Sequence, residues 1–111
     1  MTMKIIIAIA AISSVVAFSA PAMAEDKLVE NYSICMGGAG KLPGETVTAA
    51  CTYLIDEAAV ENEVTGYFYA MRALANTDRA QNCSDSRKVQ ELLKDPKLTD
   101  MIDNMISTNC G

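Results

Sequence analysis

Apolar residues recur along this chain in a helical rhythm, not an alternating one. Leu28, Tyr32, Cys35 and Met36 stand at i, i+4, i+7 and i+8, which at ~100° per residue places them on one side of a helix. Gly37-Gly38-Ala39-Gly40 follows, and glycine is the residue that most readily ends a helix. A second stripe is formed by Val47, Ala50, Cys51, Leu54, Ile55 and Ala58, and a third by Val64, Tyr67, Phe68, Met71, Leu74 and Ala75. A shorter fourth helix groups Val89, Leu92 and Leu93 and is expected to begin at Ser84 or Asp85. Asp95 suits an N-cap and Pro96 a first helical position, opening a fifth stripe of Leu98, Met101, Ile102, Met105 and Ile106. No segment keeps period two long enough for a strand, and every connection is short. The expected fold is all-α, about five short helices packed as antiparallel hairpins.

The N-terminus carries a different pattern. Lys4 precedes an apolar run from Ile5 to Phe18, and Ser19-Ala20-Pro21-Ala22-Met23-Ala24 ends in Ala-x-Ala before acidic Glu25-Asp26. A charged start, a short apolar centre and small residues before a cleavage point are the three parts of a secretory signal peptide. Residues 1–24 are therefore expected to be removed, leaving one small domain over residues 25–111, exported to a bacterial periplasm or secreted. Export gives the four cysteines their meaning. Cys35, Cys51, Cys83 and Cys110 contain no Cys-x-x-Cys pair, which speaks against zinc and thioredoxin-like chemistry. Their even number in an oxidising compartment reads as two disulfides. Three connectivities satisfy four cysteines; hairpin packing favours Cys35–Cys51 and Cys83–Cys110, each closing one helical hairpin.

The chain of 111 residues has a formal charge of −5, which becomes −6 when Lys4 leaves with the leader. An acidic balance opposes nucleic-acid binding. The absence of histidine removes His-based triads and His-ligated zinc, and no other nucleophile–base spacing stands out, so no enzyme, cofactor or metal site is expected. The Cys35–Leu42 stretch lacks the first glycine and the hydroxyl residue of a phosphate loop. Glu57, Glu61 and Glu63 cluster without an EF-hand pattern. Asp100 and Asp103 fall opposite the fifth apolar stripe, on a solvated face.

One constellation carries a resemblance. Ala49-Ala50-Cys51-Thr52-Tyr53-Leu54-Ile55-Asp56, followed by Tyr69-Ala70-Met71-Arg72-Ala73, resembles short exported bacterial tetratricopeptide-type proteins. In these a Cys-Thr-x-Leu-Ile helix precedes a repeat opening with Tyr-x-x-Arg-Gly/Ala. Cys35, the Leu42-Pro43-Gly44 loop and Asp78-Arg79-Ala80 fit the same pattern. The resemblance implies a single degenerate repeat, with a second repeat helix beginning near Asp78 and Ala75-Asn76-Thr77 replacing the usual inter-helix glycine. It also implies non-catalytic binding of a protein partner, and the acidic surface favours a basic one. The alternatives are a periplasmic immunity-type inhibitor of a cell-wall hydrolase, a small stress chaperone, or a lipid carrier. Within the third helix Tyr67, Phe68 and Tyr69 are consecutive, and three rings cannot share one face. Tyr67, Tyr69 and Arg72 are accordingly the expected contact residues, since tyrosine and arginine are enriched at interface hot spots.

Overall fold

The computed structural model describes residues 19–111, with side chains from residue 26 onward. The expected leader over residues 1–24 thus lies outside the described residues, apart from the backbone of its last turn and a half. Five α-helices follow in order: α1 (Ser19–Gly37), α2 (Gly44–Glu57), α3 (Glu63–Ala75), α4 (Arg79–Leu92) and α5 (Thr99–Cys110), the last entered through a 3-10 turn at Pro96–Leu98. No strand occurs among the described residues. Each helix packs on the next, and α1 also reaches α3, so the all-α hairpin architecture expected from the apolar rhythm is the one found.

The helix ends show why the chain divides where it does. Gly40, with φ of 79°, takes the left-handed turn between α1 and α2, a conformation that glycine adopts without a Cβ penalty. At the start of α3, Asn62 Oδ1 accepts from the backbone N–H groups of Val64 and Thr65, while Thr65 Oγ1 accepts from the Asn62 N–H at 2.6 Å. This reciprocal capping box satisfies donors that the first helical turn leaves free. Asp78 caps α4 by accepting from Gln81 N–H at 3.2 Å. The fourth helix therefore begins well before the expected Ser84 or Asp85, and Cys83 lies inside it. Asp95 accepts from Lys97 N–H at 2.9 Å, but the helix it opens starts as a 3-10 turn, and Cys110 is the last residue of α5 instead of following it.

Both disulfides have the expected connectivity, Cys35–Cys51 with Cα atoms 4.9 Å apart and Cys83–Cys110 with Cα atoms 4.8 Å apart. The first staples α1 to α2 and the second α4 to α5. No covalent tie reaches α3, which lies between two cores. Cys35, Val47, Ala50, Cys51, Leu54 and Phe68 form one; Tyr69, Ala70, Ala73, Val89, Leu93, Ile102 and Met105 form the other.

Because α3 is covered from two sides, its buried positions depart from the expected stripe. Val64 and Leu74, placed in the core by their spacing, are exposed, while Thr65, Gly66, Ala70, Arg72 and Ala73 are buried. The small residues set the distance to α4. A Cβ on Gly66 would stand 2.8 Å from the Leu93 side chain at the end of α4, so any larger residue there would require that side chain to shift.

Candidate functional site

The sequence pointed to Tyr67, Tyr69 and Arg72 as contact residues. In the structure Tyr69 and Arg72 retain only 8% and 9% exposure. Arg72 leaves α3 on the side where α2 and α4 converge. Its Nε and Nη2 donate to the two carboxylate oxygens of Asp85 on α4, each at 2.8 Å, and its Nη1 donates to Thr52 Oγ1 on α2 at 3.0 Å. This two-pronged fork matches the planar geometry of a carboxylate, and it holds the guanidinium pKa above its ordinary value despite burial. The Arg72 guanidinium also lies over the Tyr69 ring, 5.6 Å from its centroid, a favourable cation–π placement.

Tyr69 continues the network outward. Its hydroxyl donates to Glu61 Oε2 at 2.9 Å, and Glu61 Oε1 accepts from Lys88 Nζ at 2.8 Å. The Lys88 bond, followed by that from Tyr69, lowers the Glu61 pKa. Burial, followed by the bond to Glu61, raises that of Tyr69. The strongest polar residues of α3 are thus engaged in joining helices. Tyr67 is half-buried and packs beside the α3–α5 core.

An open apolar surface lies at the other end of α3. The capping box at Asn62 aims Val64 and Phe68 toward α1, where the Tyr32 ring meets Phe68 edge-on, with centroids 6.0 Å apart and planes at 84°. Leu28, Val29 and Tyr32 from α1, Leu54 and Ala58 at the end of α2, and Val64 and Phe68 from α3 line a groove of about 500 Å³. Ser33 and Glu57 are its remaining residues, and Glu57 is its one charged group. Val29 is 66% exposed, Val64 53%, Tyr32 48% and Leu28 39%. Isolated exposed apolar residues are ordinary, but a contiguous group around a concavity marks a site of interaction.

Leu28, Tyr32, Phe68 and Val64 were legible in the sequence as apolar stripe positions, but nothing in their spacing distinguished a groove from a closed core. The acidic cluster resolves into different roles: Glu61 binds Lys88, Glu57 lines the groove and Glu63 sits in the first turn of α3. Asp100 and Asp103 are exposed on α5, as expected. No group of three or more potential metal-ligating side chains occurs among the described residues, nor is any described helix long and apolar enough to cross a membrane. Comparison with protein-family models, curated proteins and solved structures finds no match to this chain.

Proposed function

We propose that the protein is an exported, non-catalytic protein-binding module, a degenerate tetratricopeptide-like unit that receives an apolar segment of its partner in the groove between α1, α2 and α3. The observation carrying this reading is the groove itself: four large apolar side chains stand open to solvent above a floor of Leu54 and Phe68. Packed helical hairpins present such grooves to helical segments, whose apolar residues insert at i, i+3, i+4 and i+7. The engagement of Tyr69, Arg72, Asp85 and Glu61 in hydrogen bonds that tie α3 to α4 and to the preceding loop supports a structural role for the groups best suited to acid–base work. Both disulfides support an oxidising, extracytoplasmic location.

The test is capture of partners from the same compartment by the oxidised protein and by its Val29→Ser/Val64→Ser variant. Both positions are mostly exposed, so the helical spectrum and disulfides should persist while capture is lost. Equal capture by the variant would move the binding face elsewhere. A lipid carrier is the second reading, favoured by the predominantly apolar lining and a volume within the ~300–1,000 Å³ of small-molecule pockets. A ligand co-purifying in native mass spectra would select it.

A further inference from the structure

We infer that the segment received by the groove is a cationic amphipathic helix; the inference rests on the binding reading above and specifies its partner. Two independent features point to this chemistry. The first is shape: the groove runs between helices, has an almost wholly apolar lining, and places the single carboxylate of Glu57 among its lining residues. An occupant must offer an apolar face and can place a positive charge against that carboxylate.

The second is the distribution of charge. Residues 25–71, which supply every lining residue of the groove, hold eight acidic residues against only Lys27 and Lys41. Residues 72–111 hold six acidic and six basic residues, so the whole net charge expected of the processed chain lies in the groove-bearing half. Asp26, Glu30, Asp56, Glu57 and Glu63 are exposed and form no salt bridge among the described residues, whereas Glu61 is taken by Lys88. Of these, Glu57 lines the groove and Asp56 and Glu63 are chain neighbours of its lining residues Glu57 and Val64, while Glu30 lines an adjoining groove with Glu45. An excess of one sign on this half of the protein attracts the opposite charge and repels its own. The attraction reaches about 8 Å at physiological ionic strength, far enough to act on the polar face of a helix seated in the groove. An acidic amphipathic helix has the same apolar fit and is rejected by charge.

Three synthetic helices of about 18 residues, five turns at ~3.6 residues each, test this. They share one leucine face and carry lysine, glutamine or glutamate on the polar face. Binding to the oxidised protein is followed by titration calorimetry at low and high salt. The lysine peptide should bind about tenfold or more tighter than the glutamine peptide, the gap should close at high salt, and the glutamate peptide should bind weakest. The Val29→Ser/Val64→Ser variant should lose most of its affinity for the lysine peptide. Equal binding of the lysine and glutamine peptides would overturn the cationic assignment and leave the groove reading standing. No binding of any peptide would overturn both. Lysine-peptide binding unchanged in the variant would show a general surface attraction and overturn the inference. So would sedimentation showing a second copy of the chain seated in the groove and excluding the peptide.

Discussion

Arg72 is the residue whose loss should be felt most widely, because three helices meet on its guanidinium. The Arg72 and Asp85 side chains are only 10% and 2% exposed, and both carboxylate oxygens of Asp85 accept from Arg72. Arg72→Ala leaves that carboxylate buried and unpaired, a defect that costs about 3–5 kcal/mol; the Thr52 hydroxyl loses a donor as well, worth up to ~1 kcal/mol. A domain of this size has about 4–13 kcal/mol in total, at ~0.05–0.15 kcal/mol per residue. The single replacement should therefore remove a large share of the stability and lower Tm by about 12–40 °C, at ~4–8 °C per kcal/mol for small domains. Arg72→Met combined with Asp85→Leu removes both charges and keeps the volume filled, so it should cost less than about 2 kcal/mol. Arg72→Ala is measured beside a double-mutant cycle of the parent, Arg72→Met, Asp85→Leu and the double variant, all read by urea unfolding of the oxidised proteins with circular dichroism. The reasoning fails if Arg72→Ala costs under about 1 kcal/mol, or if the two single losses simply add in the double variant.

Other expectations follow from neighbouring features. The lowered pKa of Glu61 means that its contribution to stability is present above the usual carboxylate range and is lost as pH falls through its folded value. Glu61→Gln should flatten the acid limb of the stability–pH curve, and an unchanged limb would exclude that role. Tyr69 is raised, so its contribution holds below the ordinary tyrosine range and disappears as pH rises through its folded value; ultraviolet titration should find it ionising above ordinary tyrosine. Gly66→Ala gains ~1 kcal/mol of helix propensity but drives a methyl group into Leu93, where overpacking costs ~1–3 kcal/mol. A net loss in thermal unfolding is expected, and a net gain would show that Leu93 can yield. Under mild reduction, alkylation and peptide mapping should find Cys83–Cys110 open before Cys35–Cys51, because the former pair is partly exposed and both sulfur-bearing residues of the latter are wholly buried. Removing either bridge should cost about 3–4 kcal/mol by the chain-entropy relation.

Helix identity and disulfide pairing were legible because both follow from apolar spacing and short connections. The start of α4 was not legible from that spacing. Its first eight residues bury Asn82, Asp85 and Ser86, polar side chains that periodicity counts as surface. Partners distant in sequence or hidden in the backbone engage them: Arg72 holds Asp85, Asn82 Nδ2 donates to the Asn76 carbonyl while its Oδ1 has no partner among the described residues, and Ser86 donates to the Asn82 carbonyl. The helix start implied by Asp78-Arg79-Ala80 is the one observed, since the Asp78 cap is a local signal independent of hydrophobicity. Arg72 was recognisable as able to reach a carboxylate, but its residue type suggested an exposed contact while its partner on α4 draws it inside. The groove was invisible for the opposite reason. A stripe such as Leu28/Tyr32 looks the same in sequence whether or not a further helix covers it.

The placement of the two disulfides also decides how the oxidised molecule responds to force. Tension applied at its ends bypasses the loops closed by Cys35–Cys51 and Cys83–Cys110, because the sulfur bridges transmit it directly. Apart from the segments outside the bridged cysteines, the extensible length is the 32 residue steps from Cys51 to Cys83, about 110 Å at ~3.3–3.6 Å per residue. That stretch contains α3, so the helix with no covalent tie is the one drawn out, and Arg72 and Asp85 separate while both end hairpins stay closed. Reduction releases the two hidden lengths, with separations of 16 and 27 residues, or about 50 and 90 Å when extended. A pulled molecule would therefore report its redox state as a length.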